Sequence, residues 1–420
     1  MTLAHPTPLR AHAMTPPFLR RPPAVFLAML IAATGVTNSD LTTRIASGAD
    51  APIVVRNGKQ ITATTIACRR IALGEPEDYK PSIVQLPSGE LLLVVFSGEQ
   101  VGGGKIREIT RLYRSKDQGL SWSGPELKPK LLGREPYLSI TRNGTLFITG
   151  HLLSQDIRNK HGHTQSYLHR SADGGHTWTS LLLQPASFRK GTTVLTARNV
   201  LELADGSLMV GISEHAPKSG NVFWKSTDGG KSWPKRFPAS FSDVPPKYPY
   251  TILGEAHLWQ ARSGRLHAIL RVGSANSWPI KGTKDPGNTD QSERMLTYTS
   301  DDGGHKWKFV RDLGRYGQMY PSIARLGSNR LLLTFTQRAI APQLGGRAVL
   351  GHETRDGFRF DMKHDELLLE TKTPRGIASG GGFGPTIVLK DGTLITAYTY
   401  RDAKNVKHAE VVRWQMPKTR

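Results

Sequence analysis

The sequence predicts an all-β chain folded as a six-bladed β-propeller, and three observations carry that expectation. One short motif, Ser-x-Asp-x-Gly-x-x-Trp, occurs four times, as Ser115–Asp117–Gly119–Trp122, Ser171–Asp173–Gly175–Trp178, Ser226–Asp228–Gly230–Trp233 and Ser300–Asp302–Gly304–Trp307. A worn fifth copy runs Thr354, Asp356, Gly357, Phe360. A strand, a turn and a very apolar strand also recur, in units beginning at Pro81, Pro136, Asn199, Ala256, Pro321 and Pro385, with turns at Gly89, Gly144, Gly206, Gly264, Asn329 and Gly392. Finally, 43 glycines and 27 prolines among 420 residues suit a chain dense in turns.

Each element has a local cause. In the motif, Asp bonds back to backbone amides, Gly supplies dihedrals that a side chain forbids, and Trp buries a large ring. Its copies lie roughly 55 to 75 residues apart, somewhat above the ~40–50 of familiar propeller repeats. Apolar runs of about 5–7 residues bounded by Gly, Pro, Asn and Ser signal strands and hairpins rather than helices. Six four-stranded sheets around a channel account for the units. The last unit has room for three strands only, Thr386–Leu389, Leu394–Tyr400 and Val406–Trp414. The segment Ile61–Ile71 is therefore expected to supply its fourth strand and close the ring, which removes exposed sheet edges.

Residues 1–40 read as a signal peptide and pre-region, with Arg20-Arg21 ahead of the apolar run Ala24–Val36. About 13 apolar residues cannot cross ~30 Å of hydrocarbon, so export to the periplasm or beyond is expected, without stable membrane insertion. Residues 50–418 are then one propeller. A single cysteine, Cys68, excludes an intrachain disulfide. No Cys/His spacing suggests a metal, and no Gly-rich phosphate loop follows a strand, so neither metal nor cofactor is expected. The net charge of +22 is spread over all the units. A nucleic-acid reader would concentrate it with aromatics on one element. An acidic glycan is the expected partner of a monomeric protein.

In a propeller, inner-strand starts and second-strand ends converge on one face. The starts nominate Tyr79 and Lys80, Glu135, Arg198, Glu255, Tyr320 and Phe383. The ends nominate Glu99, His151, Glu214 and His215, Arg271, Arg338, and Tyr400 with Arg401. Structural turns do not need so many charges, and convergent charges mark a ligand site.

The boxes and six units resemble the sialidase (neuraminidase) superfamily of Asp-box, or BNR-repeat, propellers over about residues 60–416. In the segment Gly254-Glu255-Ala-His-Leu-Trp through Arg271, the resemblance implies that Glu255 is the family's buried glutamate and Arg271 one arginine of its substrate-carboxylate triad. Arg347, in Gly346-Arg-Ala-Val-Leu-Gly, lies where a further triad arginine is usual. Guanidinium forks suit a carboxylate, and a carboxylate beside a phenol can serve as its base. Three departures accompany this. Asp78-Tyr79-Lys80-Pro81-Ser82 replaces the family's Arg-Ile-Pro, and Phe383 stands at its nucleophilic tyrosine. No aspartate follows the first unit's second strand, where Gly98-Glu99-Gln100 lies.

The resemblance implies an exported, exo-acting glycoside hydrolase for sialic- or uronic-acid glycans with a non-standard catalytic set. Glu99 or Glu135 would be acid/base, Glu255 base or nucleophile, and Tyr320 or Tyr400 would replace the missing hydroxyl. Arg271, Arg347, Arg198, Arg338, Lys80, Tyr79, His151, His215 and Phe383 would line the substrate. Two alternatives are a propeller that binds glycan or protein without turnover, and a uronate lyase in which Tyr320, His151 or His215 moves protons.

Overall fold

The computed structural model describes residues 50–183, 193–196, 198–215, 220–242, 252–273, 293–378 and 384–417. The leader reading of residues 1–40 lies outside them. Every regular element among the described residues is a β-strand. Alternation and burial follow the sequence: Leu91 to Phe96, for example, are all buried in one strand.

The strands form antiparallel meanders in chain order. Tyr79–Gln85, Leu91–Gly102, Lys105–Ser115 and Ser123–Leu127 make one four-stranded sheet. Arg134–Ile140, Leu146–Leu152, Gln165–Ser171 and Thr179–Leu183 make the next. In the third, Thr193–Thr196 and Leu201–Glu202 both pair with Leu208–His215, which is followed by Gly220–Ser226 and Lys235–Ser242. Ile252–Gln260, Leu266–Gly273, Arg294–Ser300 and Lys306–Leu313 follow, joined to the third by a short parallel pairing of Ser240–Ser242 with Lys306–Lys308. Gln318–Gly327, Arg330–Gln337 and Gly345–Thr354 carry Gly357–Phe360 and Glu366–Leu368 on their outer edge. The last sheet is Ile387–Val388, Thr393–Arg401, Lys407–Gln415 and the N-terminal strand Cys68–Leu73.

That N-terminal strand pairs from Cys68 with Trp414 to Leu73 with Ala409. It starts later than the expected Ile61–Ile71. The reason is Asp365, whose carboxylate accepts bonds from the amides of Lys59, Gln60 and Ile61 at 2.7–3.1 Å. This draws residues 59–61 onto the neighbouring unit, where Ile61 and Ile66 are buried with Ile53 and Leu367.

The turns between the first and second strands repeat one geometry. Gly89, Gly144, Gly206, Gly264, Asn329 and Gly392 all have φ between 63° and 91°, the left-handed region that glycine and asparagine tolerate best. The four Ser-Asp-Gly-Trp turns share the serine, glycine and aspartate bonds of one pattern, and the copies at Trp122, Trp178 and Trp307 add an indole bond. Ser171 donates to Asp173 at 2.7 Å, the Gly175 amide to Ser171 at 2.9 Å, the Thr177 amide to Asp173 at 3.0 Å and the Trp178 indole to the Gly175 carbonyl at 2.9 Å. Trp307, in the fourth copy, is fully buried.

Side-chain bonds staple successive inner strands. The Leu138 amide donates to Ser82 Oγ at 2.8 Å, Val200 to Ser139 Oγ at 3.1 Å, Leu258 to Asn199 Oδ1 at 2.8 Å and Ile323 to His257 Nε2 at 3.3 Å. The Lys80 amide donates to Thr399 Oγ1 at 2.8 Å, tying the first unit to the last. Tyr137, Met319 and Tyr320 meet in a buried cluster of their own, although they belong to separate sheets.

Buried histidines give this frame an acid weakness. His169 Nδ1 lies 2.7 Å from Ser180 Oγ and Nε2 lies 2.8 Å from the Leu132 carbonyl. Burial pushes its pKa down to about 4. The unfolded chain takes up this proton near pH ~6.5, before the folded chain does, so the contribution to stability is intact above that pH and shrinks as pH falls toward 4. His169→Gln should therefore flatten the loss of unfolding free energy between pH ~6.5 and 4 by on the order of 2 kcal/mol, measured by denaturant titration. Parallel pH profiles for the two proteins would refute this assignment.

Candidate functional site

Four inner strands begin with the same irregularity. Tyr79 pairs with Phe96 but Ser82 with Val94, Arg134 with His151 but Tyr137 with Thr149. Gly254 pairs with Arg271 but His257 with Ile269, and Met319 with Thr336 but Ser322 with Thr334. Each inner strand thus carries one extra residue, a β-bulge, and bulges re-aim side chains. The bulges place Lys80, Glu135, Glu255 and Tyr320 at φ of 49°, 55°, 47° and 62°. Left-handed backbone at a residue with a large side chain costs roughly 1–2 kcal/mol.

These strained residues meet. Lys80 Nζ forms an ion pair with Glu135 and donates to the Tyr320 hydroxyl at 3.3 Å. Arg271 Nη1 donates to the same hydroxyl at 2.9 Å, and Arg338 Nη1 at 3.0 Å. Arg198 lies over the Tyr320 ring with its guanidinium carbon 4.1 Å from the centroid. Glu255 accepts from Arg198 at 3.2 Å and from Arg271 at 2.5 Å, while Arg271 Nε donates to Glu293 at 2.6 Å. Tyr320 is thus the hub of a cation shell that Glu135, Glu255 and Glu293 partly neutralise.

Electrostatics fixes the protonation of most of the shell. Burial pushes the Glu135 carboxyl up, but Lys80 and Arg134 outweigh it and hold Glu135 well below the usual carboxylate range. Glu255 is likewise held down by Arg271 and Arg198 against its burial. Burial lowers Arg271, yet Tyr320, Glu293 and Glu255 raise it well above its ordinary value. His151, buried beside Glu135, is pushed down to about 4 by burial and is neutral at pH 7. Glu108 differs. Its Oε1 lies 3.5 Å from Arg134 Nε, which in turn lies 3.8 Å from Glu135. Burial lifts Glu108 to about 7, so this carboxyl can hold a proton near neutrality.

The floor of the cluster is tightly filled. The cavity among Glu135, His151, Arg198 and Glu255 is ≈10 Å³, room for about one water. Arg271, Arg338 and Arg134 are the partly exposed arginines around it. Among the described residues, no group of three His, Cys, Asp or Glu could hold a metal ion.

The structure thus brings together Tyr79, Lys80, Glu135, His151, Arg198, Glu255, Arg271, Tyr320 and Arg338. Three expected participants do not bond to the hub. Glu99 is exposed on an outer stretch of its strand, 3.7 Å from Arg107, so it makes no contact with the hub. Arg347 lines a small cavity of ≈20 Å³ together with Tyr320, but it makes no hydrogen bond to the hub among the described residues. It begins a third strand rather than ending a second, and its guanidinium donates to the carbonyls of Gly346, Glu370 and Gln343. Arg338, by contrast, donates to the Tyr320 hydroxyl. Tyr400 stacks on His408 with centroids 5.2 Å apart and does not join the hub. Phe383 and the His215 side chain lie outside the described residues.

Three participants escaped the sequence reading. Arg134 precedes a nominated strand start, Glu293 immediately precedes a third strand, and Glu108 lies within one. Extending the convergence rule to third-strand starts would have nominated Glu293.

Because Lys80 is almost wholly buried, its pairing with Glu135 is a firm constraint. Lys80→Met should cost about 3–5 kcal/mol in urea unfolding, since it leaves a buried carboxylate uncompensated. Adding Glu135→Gln should recover much of that loss. Additive penalties in this cycle would show that the two groups are not coupled.

Residues 62–245 match the BNR repeat-like domain family. No curated protein matches the chain significantly in sequence. Among solved structures, a protein of unknown function from Dyadobacter fermentans superposes with a TM-score of 0.61 at 19% identity, covering 83% of this chain and 98% of its own. The intramolecular trans-sialidase of Ruminococcus gnavus gives 0.54 at 14% identity, covering 81% and 94%. A leech intramolecular trans-sialidase complexed with 2,7-anhydro-Neu5Ac gives 0.55 at 14% identity, covering 80% and 68%. At such identities the likeness is one of fold, and the fold is sialidase-like.

Proposed function

We propose that this sialidase-like BNR-repeat chain is a glycoside hydrolase acting from the end of acidic glycans, with Tyr320 as its reactive phenol. In this reading the meanders are the six blades of a propeller closed by Cys68–Leu73, the Ser-Asp-Gly-Trp turns are its Asp-boxes, and residues 1–40 direct export. One observation carries the proposal: Lys80, Arg271 and Arg338 all donate to the Tyr320 oxygen. Three cationic donors aimed at one oxygen stabilise negative charge there, as a nucleophilic phenol requires.

The step balances simply. The Tyr320 oxygen, its proton passed to solvent, attacks the anomeric carbon, the glycosidic carbon–oxygen bond breaks, and the departing oxygen takes a proton from Glu108. Water then displaces tyrosine from the sugar, its hydroxyl going to the sugar and its proton to Glu108, while tyrosine recovers its own proton from solvent. Glu135 and Glu255, held ionised by their cations, support charge rather than donate protons. Glu108 is assigned the proton for the departing oxygen. Arg271 and Arg338, both partly exposed, would hold the sugar carboxylate.

Tyr320→Phe should lower turnover of the cleaved glycoside at least ~10²-fold while the protein stays folded by circular dichroism. The substrate is sought by screening sialosides and uronides for saturated products. Retained turnover in that variant would remove Tyr320 from the mechanism. Glu108→Gln should slow glycosides with poor leaving groups ~10²-fold or more and spare activated aryl glycosides. An equal effect on both would take the proton-donor role away from Glu108.

A second reading has its own observation. The carboxylates of the cluster are all ion-paired and the floor cavity is ≈10 Å³, which suits a propeller that binds an acidic glycan without turning it over. Saturable binding with no product of either kind would favour it.

A further inference from the structure

A second cavity lies beside the hub, built from the same strand ends. Glu293 belongs to the hub while its neighbour Arg294 lines the cavity. Arg338 belongs to the hub while its neighbour Gln337 lines the cavity. The Arg338 amide donates to the Gly317 carbonyl at 2.7 Å, next to cavity-lining Tyr316. The cavity measures ≈480 Å³, within the size range of small-ligand sites.

Its lining is cationic. Arg56, Arg294, Arg315 and Arg347 face it, against the single carboxylate of Glu366. Arg294 is held by Asp312 at 2.9 Å. Arg347 is almost wholly buried, and its contact with Glu366 is a loose 3.9 Å. Burial lowers its pKa, so an anion in the cavity would relieve a real electrostatic cost. Among the described residues, Arg56 hydrogen-bonds only to the neutral Gln343 amide, at 3.5 Å. Arg315 is exposed, and its guanidinium has no ion pair or hydrogen bond among the described residues. Tyr316, Ile340 and Pro342 add apolar surface of the kind a sugar face needs.

We propose that this cavity is an accessory subsite for a second oxyanion of the ligand, a carboxylate or sulfate on a sugar adjoining the one held at the hub. The ligand is accordingly an oligosaccharide with repeated negative charge, not a neutral chain capped by one acidic sugar. The anion preference follows from the arginines alone. Only the word sugar rests on the glycan reading of the hub.

Two measurements test it without relying on turnover. Crystals of the intact protein soaked in sodium selenate should show a selenium anomalous peak within hydrogen-bond reach of Arg56 or Arg315. The absence of any peak in this cavity overturns the proposal. In calorimetry, tetragalacturonate or a chondroitin sulfate tetrasaccharide should bind at least tenfold tighter than monomeric galacturonate, and whichever binds tighter identifies the oxyanion. The double variant Arg56→Ala/Arg315→Ala should abolish that advantage and leave galacturonate binding unchanged. No tetrasaccharide advantage in the natural protein, or an advantage that survives the double variant, also overturns it. Tyr320→Phe leaves these arginines in place, so loss of the hydrolase reading and loss of the accessory site give separate results.

Discussion

The site depends on a single backbone constraint, one extra residue at the start of an inner strand, repeated in four sheets. That residue sits in left-handed conformation as Lys80, Glu135, Glu255 or Tyr320 rather than as glycine. Each carries a strain cost, and the three charged ones add desolvation. Buried ion pairs rarely repay such costs in stability compared with apolar packing. The strain is therefore better understood as fixing where the side chains point than as support for the fold. Residues held in sparsely populated backbone regions concentrate at working sites, and here the inference runs from the observed outliers to function. Stapling of successive inner strands through Ser82, Ser139, Asn199 and His257 keeps the four bulges in register with one another.

Much of this was legible because it is local. The Ser-Asp-Gly-Trp turns satisfy their own backbone within a few residues, so their sequence is their structure. Pro81, Pro136 and Pro321 immediately follow three of the four bulged residues. Proline has no amide to contribute to a ladder and is tolerated at bulges and strand starts. Marking units at those prolines therefore placed Lys80, Glu135 and Tyr320 correctly at strand starts. What was not legible depends on partners distant in sequence. The closing strand begins at Cys68 because Asp365, some three hundred residues later, captures the amides of residues 59–61. Arg338 and Arg347 both lie near the mouth-side ends of their strands, and sequence spacing cannot tell which one reaches the centre. The difference is that Arg347 finds three backbone carbonyls on its own side. Glu108 looked like an ordinary strand residue, because its raised pKa arises only when the loop bearing Asp156 and the strand bearing Arg134 pack over it.

The stretch that departs from the family's Arg-Ile-Pro still contributes a cation to the cluster. Lys80 pairs with Glu135 and donates to the Tyr320 hydroxyl, which also accepts from Arg271 and Arg338. A lysine is a compact point charge and cannot form the bidentate fork of an arginine. It therefore suits a pair with Glu135 and a single bond to Tyr320 better than it suits a clamp on a planar carboxylate.

This arrangement couples ligand binding to the state of the phenol. Arg271 and Arg338 are partly exposed, and each already spends a donor on the Tyr320 oxygen. An incoming carboxylate would accept from the same guanidiniums, and charge-assisted bonds to a carboxylate are roughly twice as strong as those between neutral partners. Such an exchange would loosen the hold of Arg271 and Arg338 on the tyrosine oxygen while Lys80 kept its own. Under the proposed hydrolase reading, a phenol released on one side and still polarised from the other would face the ligand. A neutral ligand would offer no charge to draw those donors away, so in that reading acidity of the ligand would govern how Tyr320 is presented as well as binding.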